Sequence, residues 1–275
     1  METNVIYNED CIGKNGMCRL PDNNIDMILA DLPYGTTACK WDSIIPLRPL
    51  WKQYKRVIKD NGAIVLTASQ PFTTKLIQSN MEWFRYEWIW EKHKPSNFAL
   101  ANKRPMKYHE NILVFYQKQP VYNPQMVDRK SDRIKQGIKN NYEGVSINKG
   151  ELNSLKTIKR NFYKYNPDKK LPPSILKINA VQSNAKEKTN HPTQKPVSLF
   201  EYLIKTYTNK NEVVLDNVIG SGTTAIACLK TNRQFIGFEK EKEYYNITLK
   251  RIGRFDKSYY KELPEEEKPK QLQLF

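Results

Sequence analysis

The sequence is poor in cysteine and histidine, and it has no long apolar run. Its cysteines, Cys11, Cys18, Cys39 and Cys228, are scattered, with no Cys-x-x-Cys pair and no histidine at metal-ligand spacing. This pattern argues against a zinc site and against a secreted disulfide framework. No stretch approaches the roughly 18 apolar residues of a membrane span, and the amino terminus lacks the pattern of a signal peptide. We therefore expect a soluble protein in the reducing cytoplasm.

Acidic residues are also scarce relative to basic ones. The 275 residues include 45 Lys and Arg but 29 Asp and Glu, which gives a net charge of +16. Residues 117–190 hold sixteen of the basic and six of the acidic residues, so +10 of the charge lies there. Tyrosine and phenylalanine are interspersed among these cations. Such a segment is either a solvated insertion or a module that contacts nucleic acid, and the flanking sequence must decide between these interpretations.

The carboxyl-terminal flank has the pattern of a ligand-binding β-α-β unit. Residues Glu212–Asp216 have the pattern of a buried strand, and a turn with two glycines follows. A helix is predicted over 223–232 and a second strand over 233–239, which ends at Glu239. Glycines let the backbone approach a ligand, and an acid after the second strand can accept hydrogen bonds from ribose hydroxyls. Because the acid Asp216 precedes the turn, a ligand with positive charge, such as S-adenosylmethionine, is favoured over a dinucleotide.

The amino-terminal flank has an acid at the end of a predicted strand. The strand covers 24–30 and runs directly into Asp31-Leu32-Pro33-Tyr34. Ligands of open α/β sheets bind at the carboxyl edge, so Asp31 is a candidate for chemistry. An ordinary turn at the end of the strand is an equally good interpretation of this segment alone, since Asp, Pro and Gly all favour turns.

Four segments together resemble the β-class DNA amino-methyltransferases, which methylate the exocyclic amine of adenine N6 or cytosine N4. Asp31 to Tyr34 is similar to the family's Asp-Pro-Pro-Tyr catalytic motif, and 216–224 is similar to its Asp-Pro-Phe-x-Gly-Ser-Gly-Thr-Thr cofactor motif. The segments His191–Pro196 and Lys107–Phe115 resemble those that flank the family's insert. In the β class the catalytic motif precedes a basic insert and the cofactor motif follows it, as it does in this sequence.

The resemblance implies an α/β fold with a doubly wound, mostly parallel, Rossmann-like sheet of the seven-stranded methyltransferase type. It divides the chain into a catalytic half (1–116), a basic target-recognition insert (117–190), a cofactor-binding half (191–255) and a tail (256–275). The tail is mixed in charge and contains proline, which predicts disorder. The family further implies double-stranded DNA as substrate, a bacterial or phage-encoded enzyme, and a homodimer in many members.

The resemblance also implies roles for particular residues. The Asp31 carboxylate and the Leu32 carbonyl would accept the two hydrogens of a flipped-out target amine, and Tyr34 would stack on the base. Pro33 completes this motif. The implied S-adenosylmethionine contacts are Asp31, Thr223, Asp10 (adenine), Lys195 and Asp216 (methionine portion), Gly220 and Gly222 (close approach), and Glu239 (ribose hydroxyls).

Departures from the family motifs keep alternatives open. Leu32 stands where the first proline is usual, and Asn217 and Val218 replace Pro-Phe. A DNA-binding protein that kept the scaffold but lost catalysis would show such changes. Cytosine N4 is a second alternative, although the motif begins with Asp here and cytosine-N4 enzymes more often begin with Ser. RNA methylation fits less well, because the basic insert sits where DNA enzymes carry target recognition.

The last five residues resemble the bacterial sliding-clamp-binding peptide Gln-Leu-x-Leu-Phe. The matching residues are Gln271, Leu272, Leu274 and Phe275. Docking of these apolar side chains on the catalytic domain is the alternative interpretation. Clamp binding would raise the local concentration of the enzyme at newly replicated DNA without adding sequence specificity.

We predict that DNA affinity falls steeply with salt. If cations of 117–190 contact phosphates, binding releases counterions, and log K falls by about 0.9 per neutralised phosphate for each unit of log salt. Titration of a fluorescent duplex at several salt concentrations measures this slope. Binding that is insensitive to salt would contradict the role given to this segment.

Overall fold

The computed structural model describes residues 1–37, 39, 41–129, 168–182 and 184–269. The described strands are β1 (Val5–Tyr7), β2 (Ile25–Ala30), β3 (Ile58–Ala68), β4 (Phe84–Ser96), β5 (Lys107–Phe115), β6 (Val127–Asp128), β7 (Lys169–Lys170), β8 (Ile175–Lys177), β9 (Val213–Asp216) and β10 (Gln234–Phe238). Two compact units result, one of Met1–Asn123 with Ser174–Phe275 and one of Pro124–Pro173.

The larger unit contains a sheet of eight described strands in the order β1-β10-β9-β2-β3-β5-β4-β8. Neighbouring strands run parallel except at β5, which is antiparallel to both β3 and β4. The expectation of a mostly parallel α/β sheet is confirmed. An eighth strand is present because the short β8 pairs with the free edge of β4.

Helices cover both faces of this sheet. They are α1 (Leu47–Val57), α2 (Phe72–Ser79), α3 (Val197–Tyr207), α4 (Thr223–Thr231) and α5 (Lys242–Ile252). One core lies under α1 and α2, and the other lies under α3, α4 and α5. Within the described ranges, no helix has the length and apolar character needed to cross a lipid bilayer.

Strand β2 shows why the central strands are continuously apolar. Met27 and Leu29 belong to the core under α3, α4 and α5, whereas Ile28 and Ala30 belong to the core under α1 and α2. All four residues are fully buried. A parallel strand with helices on both faces buries its consecutive side chains on opposite sides, so alternation with polar residues would be destabilising.

The chain changes its direction of travel across the sheet between β2 and β9. From β2 it passes through α1 to β3 on one side, and from β9 it passes through α4 to β10 on the other. Strands β2 and β9 pair in parallel, with Ile28 beside Leu215. Both strands therefore end at the same edge, just before Asp31 and at Asp216. Open α/β sheets bind ligands in the crevice at such a point.

The second compact unit, Pro124–Pro173, is shorter than the insert of 117–190 predicted from charge. Its described strands, β6 and β7, pair in antiparallel orientation. Residues 117–123 and 174–190 belong to the larger unit, where β8 extends the sheet. The central part of the basic insert, 130–167, lies outside the described residues, and its contact with DNA stays a prediction.

The tail also differs from the disorder that its composition predicts from residue 256. The described part forms 3-10 helices over Lys257–Glu262 and Glu265–Glu267. Between them, Leu263 is 4% exposed and joins the core under α3, α4 and α5. Burial against distant residues orders this segment, an effect that composition does not reveal. The predicted clamp-binding residues Gln271, Leu272, Leu274 and Phe275 lie outside the described residues.

We expect Leu263→Ala to lower the free energy of unfolding by about 2–4 kcal/mol, because it removes buried methyl groups and leaves a cavity. Denaturant unfolding followed by circular dichroism measures this change. Met81→Ala truncates an apolar side chain that is 59% exposed and serves as the matched control. The control should change stability by less than about 0.5 kcal/mol. Equal stability of the two variants would show that the tail does not pack.

Candidate active site

A cavity of about 960 Å³ lies at the carboxyl ends of β2 and β9. Its size is within the range of about 300–1,000 Å³ that is typical of small-molecule sites. The wall includes residues that the sequence analysis selected from both halves of the chain: Asp10, Asp31, Leu32, Pro33, Tyr34, Lys195, Asp216, Gly220, Thr223 and Glu239. Among the predicted site residues that the structure describes, Gly222 does not line this cavity. Residues of two motifs that are far apart in sequence thus line the same cavity.

Three side chains hold the carboxylate of Asp31, which follows β2. Lys195 Nζ donates to Asp31 Oδ2 at 2.7 Å, and the Tyr34 hydroxyl donates to Oδ1 at 2.8 Å. The hydroxyl of Thr67, on β3, also donates to Oδ1. Because these donors come from separate segments of the fold, the orientation of the carboxylate is set before a ligand binds. A carboxylate fixed in this way can accept hydrogens from a ligand amine.

Lys195 is the centre of a buried chain of charges. Its ammonium nitrogen lies 2.7 Å from Asp31 Oδ2 and 3.3 Å from Glu110 Oε2, and Lys92 Nζ lies 3.0 Å from Glu110 Oε1. Burial by itself would raise the pKa of Glu110, but the positive charges of Lys195 and Lys92 outweigh it and lower that pKa to about 2. Burial would lower the pKa of Lys195, but Asp31 and Glu110 raise it. Glu110 and Lys195 are therefore both charged at neutral pH.

Tyr34 is held at both its ring and its hydroxyl. The ring stacks on Phe72, with centroids 5.5 Å apart and planes inclined by 24°. Lys195 Nζ lies 5.5 Å from the centroid of the same ring. Burial, together with the negative charges of Asp31 and Glu110, raises the pKa of the Tyr34 hydroxyl. Tyr34 consequently stays protonated and acts as a donor to Asp31.

The turn after β9 is held by Asp216, the acid that ends this strand. Asp216 is buried, and its carboxylate accepts hydrogen bonds from the Thr224 hydroxyl and, at 3.1 Å, from the backbone N–H of Val218. Burial raises the pKa of Asp216 to about 7. One oxygen of Asp216 thus binds the turn and the other binds the first turn of α4; the contact of Asp216 with a ligand stays a prediction.

The two glycines of this turn have different roles. Gly220, with φ of +55°, lines the cavity. Gly222, with φ of +80°, lies at the start of α4, and a Cβ atom there would lie 2.6 Å from Thr248 Cγ2 on α5. Backbone conformation and helix packing both favour glycine at position 222, and its predicted close approach to a ligand stays a prediction.

The motif positions that depart from the family are well packed. Leu32 is 2% exposed and belongs to the core under α1 and α2. Asn217 is 1% exposed, accepts a hydrogen bond from the Tyr54 hydroxyl at 2.5 Å, and donates to Cys11 Sγ at 3.3 Å. Val218 packs against the core that contains Leu32. The polar atoms of Asn217 are thus satisfied, which supports the turn without a proline.

Acids also line the cavity near the end of β10. The Glu239 carboxylate accepts hydrogen bonds from the backbone N–H groups of Gly220 and Glu241, each at 2.9 Å. Burial raises the pKa of Glu239. Each carboxylate oxygen can accept two hydrogen bonds, so Glu239 retains capacity for ligand hydroxyls. Together with Asp10 and the aspartates that follow β2 and end β9, Glu239 gives this part of the cavity four carboxyl groups, an arrangement that suits a ligand with positive charge.

Three aromatic residues form a cluster in the cavity wall that the sequence analysis did not identify. The His191 ring lies 4.5 Å from that of Tyr244 and 5.5 Å from that of Trp41, and Trp41 Nε1 donates to the Tyr244 hydroxyl at 3.0 Å. Burial lowers the pKa of His191 to about 4, so this ring is neutral at pH 7. No local pattern indicates the cluster, because its members come from three separate segments.

Three further residues of the site, Thr67, Lys92 and Glu110, were not predicted from the sequence. Glu110 lies in the segment 107–115 that resembles the family, and a charged residue before an apolar stretch is the one signal that could have selected it. Thr67 on β3 and Lys92 on β4 could not be identified in this way, because only the antiparallel pairing of β5 with these two strands brings them close to Glu110.

Comparison with known proteins agrees with this geometry. Residues 25–250 match a family model for DNA methylase. Type II methyltransferase M.BglII of Bacillus subtilis is 31% identical over 266 residues, which cover 89% of this chain and 67% of that protein. The DNA adenine methyltransferase YhdJ of Escherichia coli K12 is 26% identical over 269 residues, which cover 91% of this chain and 83% of that protein.

Solved structures have the same architecture. The M1.HpyAVI–SAM complex aligns with a TM-score of 0.57 and 26% identity, and the alignment covers 90% of this chain and 98% of that one. The cytosine-N4-specific PvuII DNA methyltransferase aligns with a TM-score of 0.63 and 16% identity, over 92% of this chain and 87% of that one. The second match establishes a shared fold.

We expect Glu110→Gln to lower the free energy of unfolding by about 3 kcal/mol at pH 7, because it leaves buried ammonium groups short of a partner. The lowered pKa of Glu110 means that its carboxylate contributes stability above its ordinary pKa of 4.5, and that this contribution is lost as the pH falls to about 2. The difference between wild type and variant should therefore shrink between pH 4.5 and pH 2.

Denaturant unfolding at several pH values measures this difference. Glu82→Gln is the matched control, because its carboxylate is 78% exposed and pairs with Lys55 at the surface. The control should have a small effect at every pH. A difference for Glu110→Gln that stays constant down to pH 2 would contradict the assigned charge state.

Proposed function

We propose that this chain, which belongs to the DNA methylase family, transfers a methyl group from S-adenosylmethionine to the N6 amine of adenine in double-stranded DNA. The observation that carries the proposal is the shared cavity, where the fixed Asp31 carboxylate and the turn around Gly220 line one space. A base beside Asp31 and a cofactor beside the turn would meet there, which supplies the proximity that the reaction needs.

The carboxylates and other polar groups of the cavity fit S-adenosylmethionine. This cofactor supplies a reactive methyl group on a positively charged sulfur, and it carries no phosphate. The acids at the ends of β2, β9 and β10 suit that charge, and Glu239 has acceptor capacity for ribose hydroxyls. Asp10, Thr223 and Lys195 are further proposed contacts. The similarity to the M1.HpyAVI–SAM complex supports the same assignment.

Asp31 and Leu32 would hold the target amine. An adenine amine is a weak nucleophile, because its lone pair is delocalised into the ring. Acceptance of its two hydrogens by the Asp31 carboxylate and the Leu32 carbonyl would favour a tetrahedral nitrogen with a free lone pair. The N–C bond would form as the S–C bond of the cofactor breaks and leaves a neutral thioether, and the amine would then release one proton, with the Asp31 carboxylate as its first acceptor. Lys195 and Tyr34 already orient Asp31, so little reorganisation is needed when the base enters. Tyr34 would stack on the base, as the resemblance to the family implies.

We propose adenine and not cytosine as the target base, because the catalytic motif begins with Asp and because the relative YhdJ is an adenine methyltransferase. Cytosine N4 is the second candidate, since its amine offers the same two hydrogens to the same acceptors. Loss of catalysis is less well supported, because Asn217 has its hydrogen-bond partners and three donors hold Asp31.

Two assignments from the sequence complete the proposal. The excess of cations in 117–190 would hold the DNA backbone. The segment 271–275 would tether the enzyme to a sliding clamp.

Transfer of labelled methyl from S-adenosylmethionine to unmethylated bacterial genomic DNA, followed by nucleoside analysis, tests the proposal. N6-methyladenine is the expected product. Asp31→Ala should lower the rate about 100-fold or more, because it removes an acceptor of the amine hydrogens. Asp60→Ala removes a carboxylate that is 60% exposed and pairs with Lys118, and it should keep the wild-type rate.

Other products decide between the alternatives. N4-methylcytosine that disappears in Asp31→Ala would establish the second candidate. Absence of transfer by a folded protein that binds DNA would refute the proposed reaction and support a site without catalysis.

A further inference from the structure

The connection between β4 and β5, together with the adjoining ends of both strands, is rich in basic residues and contains no acidic residue. Residues 92–109 contain five Lys and Arg, two His, and neither Asp nor Glu. Two of the cations are engaged within the protein, because Lys92 pairs with Glu110 and Lys107 donates to the Ser69 hydroxyl. The other three cations are available to a partner.

These three cations, Lys94, Lys103 and Arg104, are exposed. No carboxylate in the described part of the chain forms an ion pair with them. Arg104 also lines the cavity that contains Asp31. Uncompensated positive charge therefore borders the cavity in which the target base would bind.

The same loop exposes an aromatic side chain beside the cavity. Phe98 is 67% exposed, and its neighbour Asn97 lines the cavity wall. Isolated exposed apolar residues are common on protein surfaces. Phe98 differs from such isolated residues, because its loop also carries exposed cations without ion-pair partners in the described part of the chain and contributes residues to the cavity wall.

The backbone of this loop is ordered by its own hydrogen bonds. Asn97, with φ of +72°, precedes the 3-10 turn Phe98–Leu100. The N–H of Leu100 donates to the Asn97 carbonyl at 2.9 Å, and the N–H groups of Lys103 and Arg104 donate to the Leu100 carbonyl at 2.9 and 3.0 Å. An ordered loop loses less conformational entropy on binding than a disordered one.

We propose that residues 97–106 form a DNA-contacting surface, in which Phe98 fills the gap that the flipped base leaves in the stack and Lys103 and Arg104 bind the flanking phosphates. This inference rests on the proposed function, which requires a flipped base. Cations without competing carboxylates fit a phosphate backbone, and apolar side chains inserted between bases stabilise a disrupted stack. The surface lies in the larger compact unit and outside the insert of 117–190.

Methyl transfer to two matched duplexes tests the role of Phe98. Both carry the sequence that the wild-type protein methylates, found by mapping modified bases in its genomic product, and one has an abasic site opposite the target base. Phe98→Ala should lower kcat/KM about tenfold or more on the paired duplex. On the duplex with the abasic site, where flipping is easier, the loss should shrink to about threefold or less.

The matched control for this comparison is Phe255→Ala, which truncates a phenylalanine that is 52% exposed and lies outside the loop of 97–106. It should match wild type on both duplexes. An equal loss for Phe98→Ala on the two duplexes, or no loss on the paired one, would overturn the gap-filling role.

DNA binding without transfer tests the phosphate contacts. The double variant Lys103→Ala, Arg104→Ala should reduce the slope of log K against log salt by about 1.8, which is about 0.9 for each lost contact. The matched control is Arg254→Ala, Lys257→Ala, which removes two exposed cations outside the cavity wall and should leave the slope unchanged. An unchanged slope in the loop variant would overturn the phosphate contacts.

The methyl-transfer and DNA-binding experiments together distinguish a failure of this inference from a failure of the proposed function. A wild-type protein that transfers no methyl group, yet binds DNA with a slope that depends on Lys103 and Arg104, would refute the reaction and retain the phosphate-binding surface. A wild-type protein that methylates DNA while the loop variants behave as their controls would retain the reaction and refute this surface.

Discussion

The ion pair between Asp31 and Lys195 joins parts of the chain that are 164 residues apart in sequence. Asp31 follows β2 and Lys195 precedes α3, so the contact forms only when both halves of the sheet have assembled. Glu110, on the antiparallel strand β5, enters the same network through Lys195. Loss of one member would leave a buried charge without its partner, and that is more costly than the pair itself is stabilising. One interaction therefore links the orientation of Asp31 to the assembly of both halves of the sheet.

The carboxylates of the cavity are oriented before any ligand binds. Asp216 binds the turn that follows it, Glu239 ties that turn to the end of β10, and Asp42 accepts hydrogen bonds from the backbone of 35–37. A site whose acceptors are already fixed needs little reorganisation when charge develops during a reaction. The same bonds explain why the turn keeps its conformation without the family's proline, since side-chain acceptors hold the backbone.

Positive charge occurs in two regions of the sequence that suit different tasks. The segment 117–190 holds most of the net charge, which suits attraction and retention of a long polyanion. The loop of 97–106 carries few cations, but it lies beside the cavity, which suits positioning of one nucleotide. Affinity for DNA and alignment of the target base would therefore depend on separate parts of the chain, with the chemistry confined to the cavity.

The sequence by itself determined the strands, the glycine turn and the terminal acids of the two motifs that meet in the cavity, because these are local patterns. The resemblance of those motifs to a known family implied the family and the doubly wound sheet. Only the tertiary structure decided which groups hold Asp31, since strand pairing brings Thr67 to Asp31 and places Glu110 beside Lys195, the ion-pair partner of Asp31. It also decided that Gly222 packs against α5 and that Leu263 anchors the tail. Burial and ion pairing depend on residues distant in sequence, and no local pattern carries that information.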